Sequence, residues 1–146
     1  MIRAAASTSG GSEERTPDHD FVLSVEMPAS PAAVYDAWVS GDGHAAMTGA
    51  GATSEPRVGG RFTAWDGYIE GTWLELKPGR RVVMAWRTSE FGADDAPARV
   101  ELELDASEGG ALLRLTQSGS PAGQGPRYRQ GWHDFYFNPM RAWFGR

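Results

Sequence analysis

Seven side chains of this sequence have the types and spacing to line a pocket: Trp65, Tyr68, Trp86, Trp132, Tyr136, Met140 and Trp143. Ligand pockets are built from aromatic and apolar walls with a few convergent polar groups. Trp86 is the foremost of the set, because it ends a strand-like run whose Val82 and Met84 share its face. Aromatic residues at core spacing pack more often than they bind, so plain core packing stands beside this reading.

The remaining candidates carry less. His44 and His133 titrate near neutrality and invite a general-base or metal role. Neither has a second ligand at metal spacing, and the chain has no cysteine. His133 reads as a surface or packing residue, whereas His44, near a short helix, is placed to face a cavity entrance. Asp66, with Gly67 and Gly71, could place a carboxylate at a cavity mouth, but reads first as backbone geometry: a tight turn and a bulge or close approach. Glu101 and Glu103 resemble a carboxylate pair, but they alternate with Val100, Leu102 and Leu104 and so point to solvent. Arg87 and Arg99 are candidate anchors for an anionic head group and, as strand ends, equally surface charges. No nucleophile elbow and no phosphate loop is present.

The elements that must position these residues follow from length and pattern. At 146 residues, one domain with one core is expected. A net charge of −5 and no basic stripe argue against nucleic acid. No apolar run approaches the ~20 residues of a membrane helix, and the absence of cysteine is compatible with a reducing cytoplasm. Residues 1–19, polar and without an apolar core segment, read as a disordered tail. "FVLSVEM" alternates as a strand, and Ser30-Pro31 opens a helix carrying Val34, Ala37 and Trp38 on one face. A short helix near Asp42 to Met47 and a turn-rich passage follow. From Gly60 onward, strand-like runs separated by Lys77-Pro78-Gly79-Arg80 and Ser107-Glu108-Gly109-Gly110 form an antiparallel meander with one dry face. The last segment, "GWHDFYFNPMRAWFGR", supplies its cover. At about 100° per residue, Trp132, Phe135, Tyr136, Pro139, Met140 and Trp143 share a side, with Phe137 and Phe144 at its flank. Pro139 lacks the N–H for an α-helical bond and is expected to bend the helix.

In that order of elements, "RVGGRFTAWDGYIEGTWLELKPGRRVVMAWR", "GWHDFYFNPMRAWF" and, more weakly, "SPAAVYDAW" resemble the activator of heat-shock protein 90 ATPase homologue family, within the START/Bet v 1-like superfamily. The resemblance implies an α+β helix-grip fold over residues 20–146: a bent antiparallel sheet wrapped around a long C-terminal helix, with a partly apolar cavity between them. Superfamily members bind lipids, sterols, polyketides or plant metabolites there. The leading expectation is therefore a small hydrophobic or amphipathic ligand bound by the seven residues above, with no catalytic residue, metal or cofactor. The alternative is a homodimer or chaperone contact through Phe137 and Phe144. A cyclase- or hydrolase-type enzyme is the weakest reading, since no acid/base pair is identifiable.

Overall fold

A computed structural model describes residues 20–146; the tail expected over residues 1–19 lies outside the described residues. Strand β1 (Phe21–Met27) buries Phe21, Leu23 and Met27 and leaves Val22 and Ser24 outside, as its alternation requires. Ser30 then caps helix α1 (Pro31–Val39), its Oγ accepting from the Ala33 N–H at 3.1 Å, with Pro31 in the first turn where no N–H is needed. Ser40 ends α1 and caps α2 (Gly41–Thr48) in the same way, accepting from Gly43 N–H at 3.1 Å.

Six more strands complete a seven-stranded antiparallel sheet: β2 (Thr53–Ser54), β3 (Arg61–Ala64), β4 (Ile69–Lys77), β5 (Arg81–Thr88), β6 (Ala98–Ser107) and β7 (Gly110–Ser118). The order across the sheet is β1-β7-β6-β5-β4-β3-β2. Both expected turns are hairpins, Lys77 pairing with Arg81 and Ser107 with Gly110. The two-residue edge strand β2 goes beyond the expected meander: its Thr53, in the turn-rich passage, sits opposite Thr63 of β3. Val82, Met84, Val100, Leu102, Leu104, Leu113 and Leu115 form the dry face. On the wet side, Arg81 spans Glu101 and Glu103 at 3.1 and 2.8 Å.

The C-terminal helix runs without interruption through α3 (Gly125–Gly131), a π-helical turn (Trp132–Phe137) and α4 (Asn138–Phe144). In the π turn the Asn138 N–H bonds the carbonyl of His133, five residues back. That wider turn sits immediately before Pro139, which has no N–H to offer the carbonyl of Phe135. It also changes the face expected from an unbroken α-helical count. Trp132 and Phe137, five apart, are both buried, as are Tyr128, Tyr136 and Met140. Phe135, placed by the count among the core residues, is instead 55% exposed. The contact stripe expected of Phe137 and Phe144 is corrected accordingly: Phe137 is fully buried, and Phe144 is half-buried against Trp143.

At Gly71 the sheet leaves no room for a side chain. It pairs with Phe62 and with Trp86, and a Cβ there would lie 2.0 Å from the Ala85 carbonyl oxygen and 2.6 Å from the Phe62 ring. Since a backbone oxygen cannot move aside, Gly71→Ala is expected to destabilise the fold by at least about 2 kcal/mol in urea titration. An unchanged midpoint would contradict this close approach.

Candidate functional site

A cavity of ≈ 440 Å³ lies between the C-terminal helix and the part of the sheet built by the β3–β4 connection and β5. Local backbone strain sets its outer wall. Trp65 and Asp66, with φ of 52° and 57°, and Gly67, with φ of 91°, form a turn of successive left-handed residues. For a bulky side chain such a conformation costs on the order of 1–3 kcal/mol. A reciprocal pair holds it: the Gly51 N–H donates to Asp66 Oδ1 at 2.8 Å, and the Asp66 N–H donates to the Gly51 carbonyl at 3.0 Å. The turn carries Trp65 to the edge of Phe135, with ring centroids 5.5 Å apart and planes at 74°. The Trp65 Nε1 is buried without an acceptor among the described residues.

The inner wall is Trp86 on β5 and Trp132 and Tyr136 on the helix. The Trp132 Nε1 donates to buried Gln117 Oε1 at 2.7 Å, and Gln117 in turn donates to Ser120 Oγ at 2.8 Å. Its ring lies 5.6 Å from Trp86, 4.8 Å from Tyr136 and 6.1 Å from Trp38. Behind Tyr136 stands His44. The Trp38 carbonyl, 2.9 Å from Nδ1, can only accept, so Nδ1 carries the proton and Nε2 accepts from the Tyr136 hydroxyl at 2.8 Å. Burial lowers the His44 pKa to about 4, opposed by the bond to Trp38, and raises that of Tyr136.

At the mouth, Glu90 accepts from the Tyr68 hydroxyl on one oxygen and from Arg127 Nη1 on the other. The Gln124 amide donates to the Glu90 carbonyl at 3.1 Å and accepts from the Tyr128 hydroxyl at 2.6 Å. Tyr128 accepts in turn from Thr88 Oγ1 at 2.8 Å. Tyr68 is 37% exposed, which with Phe135 opens the mouth to solvent. Burial of its ring raises the Tyr68 pKa, so its hydroxyl stays a donor at neutral pH.

Five of the seven residues singled out in the sequence line this cavity: Trp65, Tyr68, Trp86, Trp132 and Tyr136. Met140 and Trp143 do not. Beyond the π turn the helix packs on α2 and β1, which buries Met140 there; Trp143 sits under the Arg146 guanidinium, 4.0 Å from its ring centroid. Ile69, Glu90, Arg127, Tyr128, Gly131 and Phe135 line it as well. Sequence reasoning misses Tyr128, whose place one helical turn before Trp132 is the signal for it; nothing local pairs Glu90 with Arg127 across 37 residues.

The other candidates take structural places. His44 lies behind the wall rather than at an entrance, and His133 packs its edge on Phe137 at 5.4 Å. Asp66 holds the strained turn. Arg87 donates to the carbonyls of Asp95 and Gly92, at 2.9 and 2.8 Å. Arg99 donates to Glu101 at 2.7 Å and, with Arg81, holds that carboxyl below the usual range against the opposing effect of desolvation. Among the described residues no group of three or more His, Asp or Glu side chains could hold a metal, and no helix is long and apolar enough to cross a membrane.

Residues 28–145 match the model of the family described as activator of Hsp90 ATPase homolog 1-like protein. The human protein named activator of 90 kDa heat shock protein ATPase homolog 1 is 30% identical over 131 residues, which cover 90% of this chain and 38% of that protein; its mouse counterpart is 28% identical over the same span. The chain thus spans less than two-fifths of the length of these relatives. Among solved structures, an Hsp90 activator from Plasmodium falciparum superposes with a TM-score of 0.78 at 22% identity, covering 87% of this chain and 96% of that one. The Aha1 dimer from Colwellia psychrerythraea gives 0.70 at 16% identity, with 86% and 96% covered. These likenesses bear out the helix-grip fold.

The buried imidazole makes stability depend on pH. Because folding lowers the His44 pKa from 6.5 to about 4, its contribution is present above pH 6.5 and is lost as pH falls from there towards 4. Denaturant melts over that range are expected to lose up to about 3 kcal/mol from this group. In His44→Asn this component should vanish; an equal slope in both proteins would contradict a neutral buried His44.

Proposed function

The chain belongs to the activator of Hsp90 ATPase homolog 1-like family, and we propose that it acts as a binding domain for a small hydrophobic or amphipathic ligand held between the sheet and the C-terminal helix. The observation that carries this reading is the aromatic cavity of ≈ 440 Å³, which falls in the range of about 300–1,000 Å³ usual for small-molecule pockets.

Gly131 adds support. It stands inside the helix with φ −60° and ψ −36°, a conformation open to any residue, and a Cβ there would meet only Phe135 Cδ2 at 3.7 Å. Glycine in a helix interior costs about 1 kcal/mol relative to alanine. Neither the backbone nor the neighbours require it, so what a larger residue would take is cavity space. Trp65, kept in a strained turn at the same cavity, is a second local cost that makes sense if the wall it forms is used.

A second reading, contact with a chaperone or another copy of the chain, draws on the printed names of the relatives and on exposed Phe135. It differs from the first in needing no cavity. The experiment that separates them titrates the wild type and Gly131→Leu with N-phenyl-1-naphthylamine, an uncharged dye that brightens in apolar sites. The wild type should bind it, and the variant, its cavity filled, should bind at least about tenfold more weakly while melting no lower than the wild type. A wild type that leaves the dye dark, or a variant that binds it equally, would overturn the ligand reading.

A further inference from the structure

Glu90 and Arg127 are the charged side chains that line the cavity, and they differ in what they have left to offer. Both oxygens of Glu90 are engaged, one by the Tyr68 hydroxyl and the other by Arg127 Nη1, so its charge is already paired. Its own N–H donates to Thr88 Oγ1 at 3.1 Å, and its carbonyl receives the Gln124 amide. The protons of the nearby hydroxyls are committed too, since Thr88 donates to Tyr128 and Tyr128 to Gln124.

Arg127 engages one nitrogen only among the described residues. A guanidinium carries five N–H donors in a plane, so most of its capacity remains, on a side chain that is 53% exposed at the mouth. The largest free donor capacity at the mouth therefore sits on a cation. Arg87 and Arg99, the arginines that sequence pattern put forward as anion anchors, are occupied elsewhere.

Resting on the cavity reading, we propose that the ligand is a hydrophobic acid. Its apolar body lies among Trp65, Trp86 and Trp132, and its carboxylate- or sulfonate-type group meets the free edge of Arg127 at the mouth. Glu90 and Tyr68 brace the guanidinium in that position. A cationic amphiphile meets in Glu90 a carboxylate whose charge Arg127 already pairs, and a neutral molecule gains the aromatic walls and the indole N–H of Trp65, unpartnered among the described residues, but no charged partner.

Two dyes with one body separate head group from cavity. N-phenyl-1-naphthylamine is uncharged, and 1-anilinonaphthalene-8-sulfonate adds a sulfonate to the same ring system. Both are titrated into the wild type and into Arg127→Gln, a surface change whose melting temperature is checked against the wild type. The sulfonated dye is expected to bind the variant about fivefold more weakly or worse, as for a charge-assisted bond reduced by solvent, and its wild-type affinity is expected to fall with added salt. The uncharged dye should change by less than about twofold. Equal effects of the substitution on both dyes would overturn the acid proposal while leaving the cavity reading intact. Failure of the wild type to bind either dye would remove both.

Discussion

The indole of Trp132 is where helix, sheet and α1 meet. Its N–H is tied to Gln117 on β7, one ring neighbour is Trp38 on α1, and another is Trp86 on β5. The ring, buried and fixed from three sides, ties the C-terminal helix to the sheet at this point. On one side the space is filled by Phe137 and Met140, both fully buried. On the other side, where the helix carries Gly131 rather than a side chain, space remains, and the cavity occupies it. Gln117 and His44 are the polar supports of this arrangement; each is buried with its hydrogen-bonding groups matched, which is the condition for polar groups to be tolerated in a core.

The cavity wall is held by interactions that come from far apart in the chain. The left-handed turn at Trp65 depends on Gly51, fifteen residues earlier than Asp66, and the mouth depends on Glu90 joining Tyr68 to Arg127. The surrounding structure over-determines the strained turn, which is what allows a bulky residue to stay in an unfavourable region. A wall made of committed rings and a mouth made of paired charges suit the recognition of an apolar body with one polar end.

Much of the fold was legible because local chemistry agreed with the long-range outcome. The Ser30 cap, the two hairpin turns and the alternation of Val100, Leu102 and Leu104 each point to the element observed. The strand face bearing Glu101 and Glu103 is likewise the solvated one, laced by arginines. The helix face is less legible, because a count of 3.6 residues per turn does not contain the π turn that precedes Pro139. That single widened turn moves Phe135 out and Phe137 in, and with them the interface once expected of Phe137 and Phe144. Of the cavity, Trp65, Tyr68, Trp86, Trp132 and Tyr136 are visible in the sequence, while Tyr128, Glu90, Arg127 and the left-handed backbone at Trp65 are not. Their roles arise from pairing across the tertiary structure, which leaves no periodic trace.

The six tryptophans provide the most direct measurement, since each indole N–H gives its own proton–nitrogen NMR signal. In a titration with N-phenyl-1-naphthylamine, the signals of Trp65, Trp86 and Trp132 should shift together and saturate at one equivalent. Trp73, bonded to Ser54 and outside the cavity lining, and Trp143, beneath Arg146, should stay where they are. Shifts confined to Trp143, or an unmoved spectrum at saturating dye, would contradict a ligand site between sheet and helix.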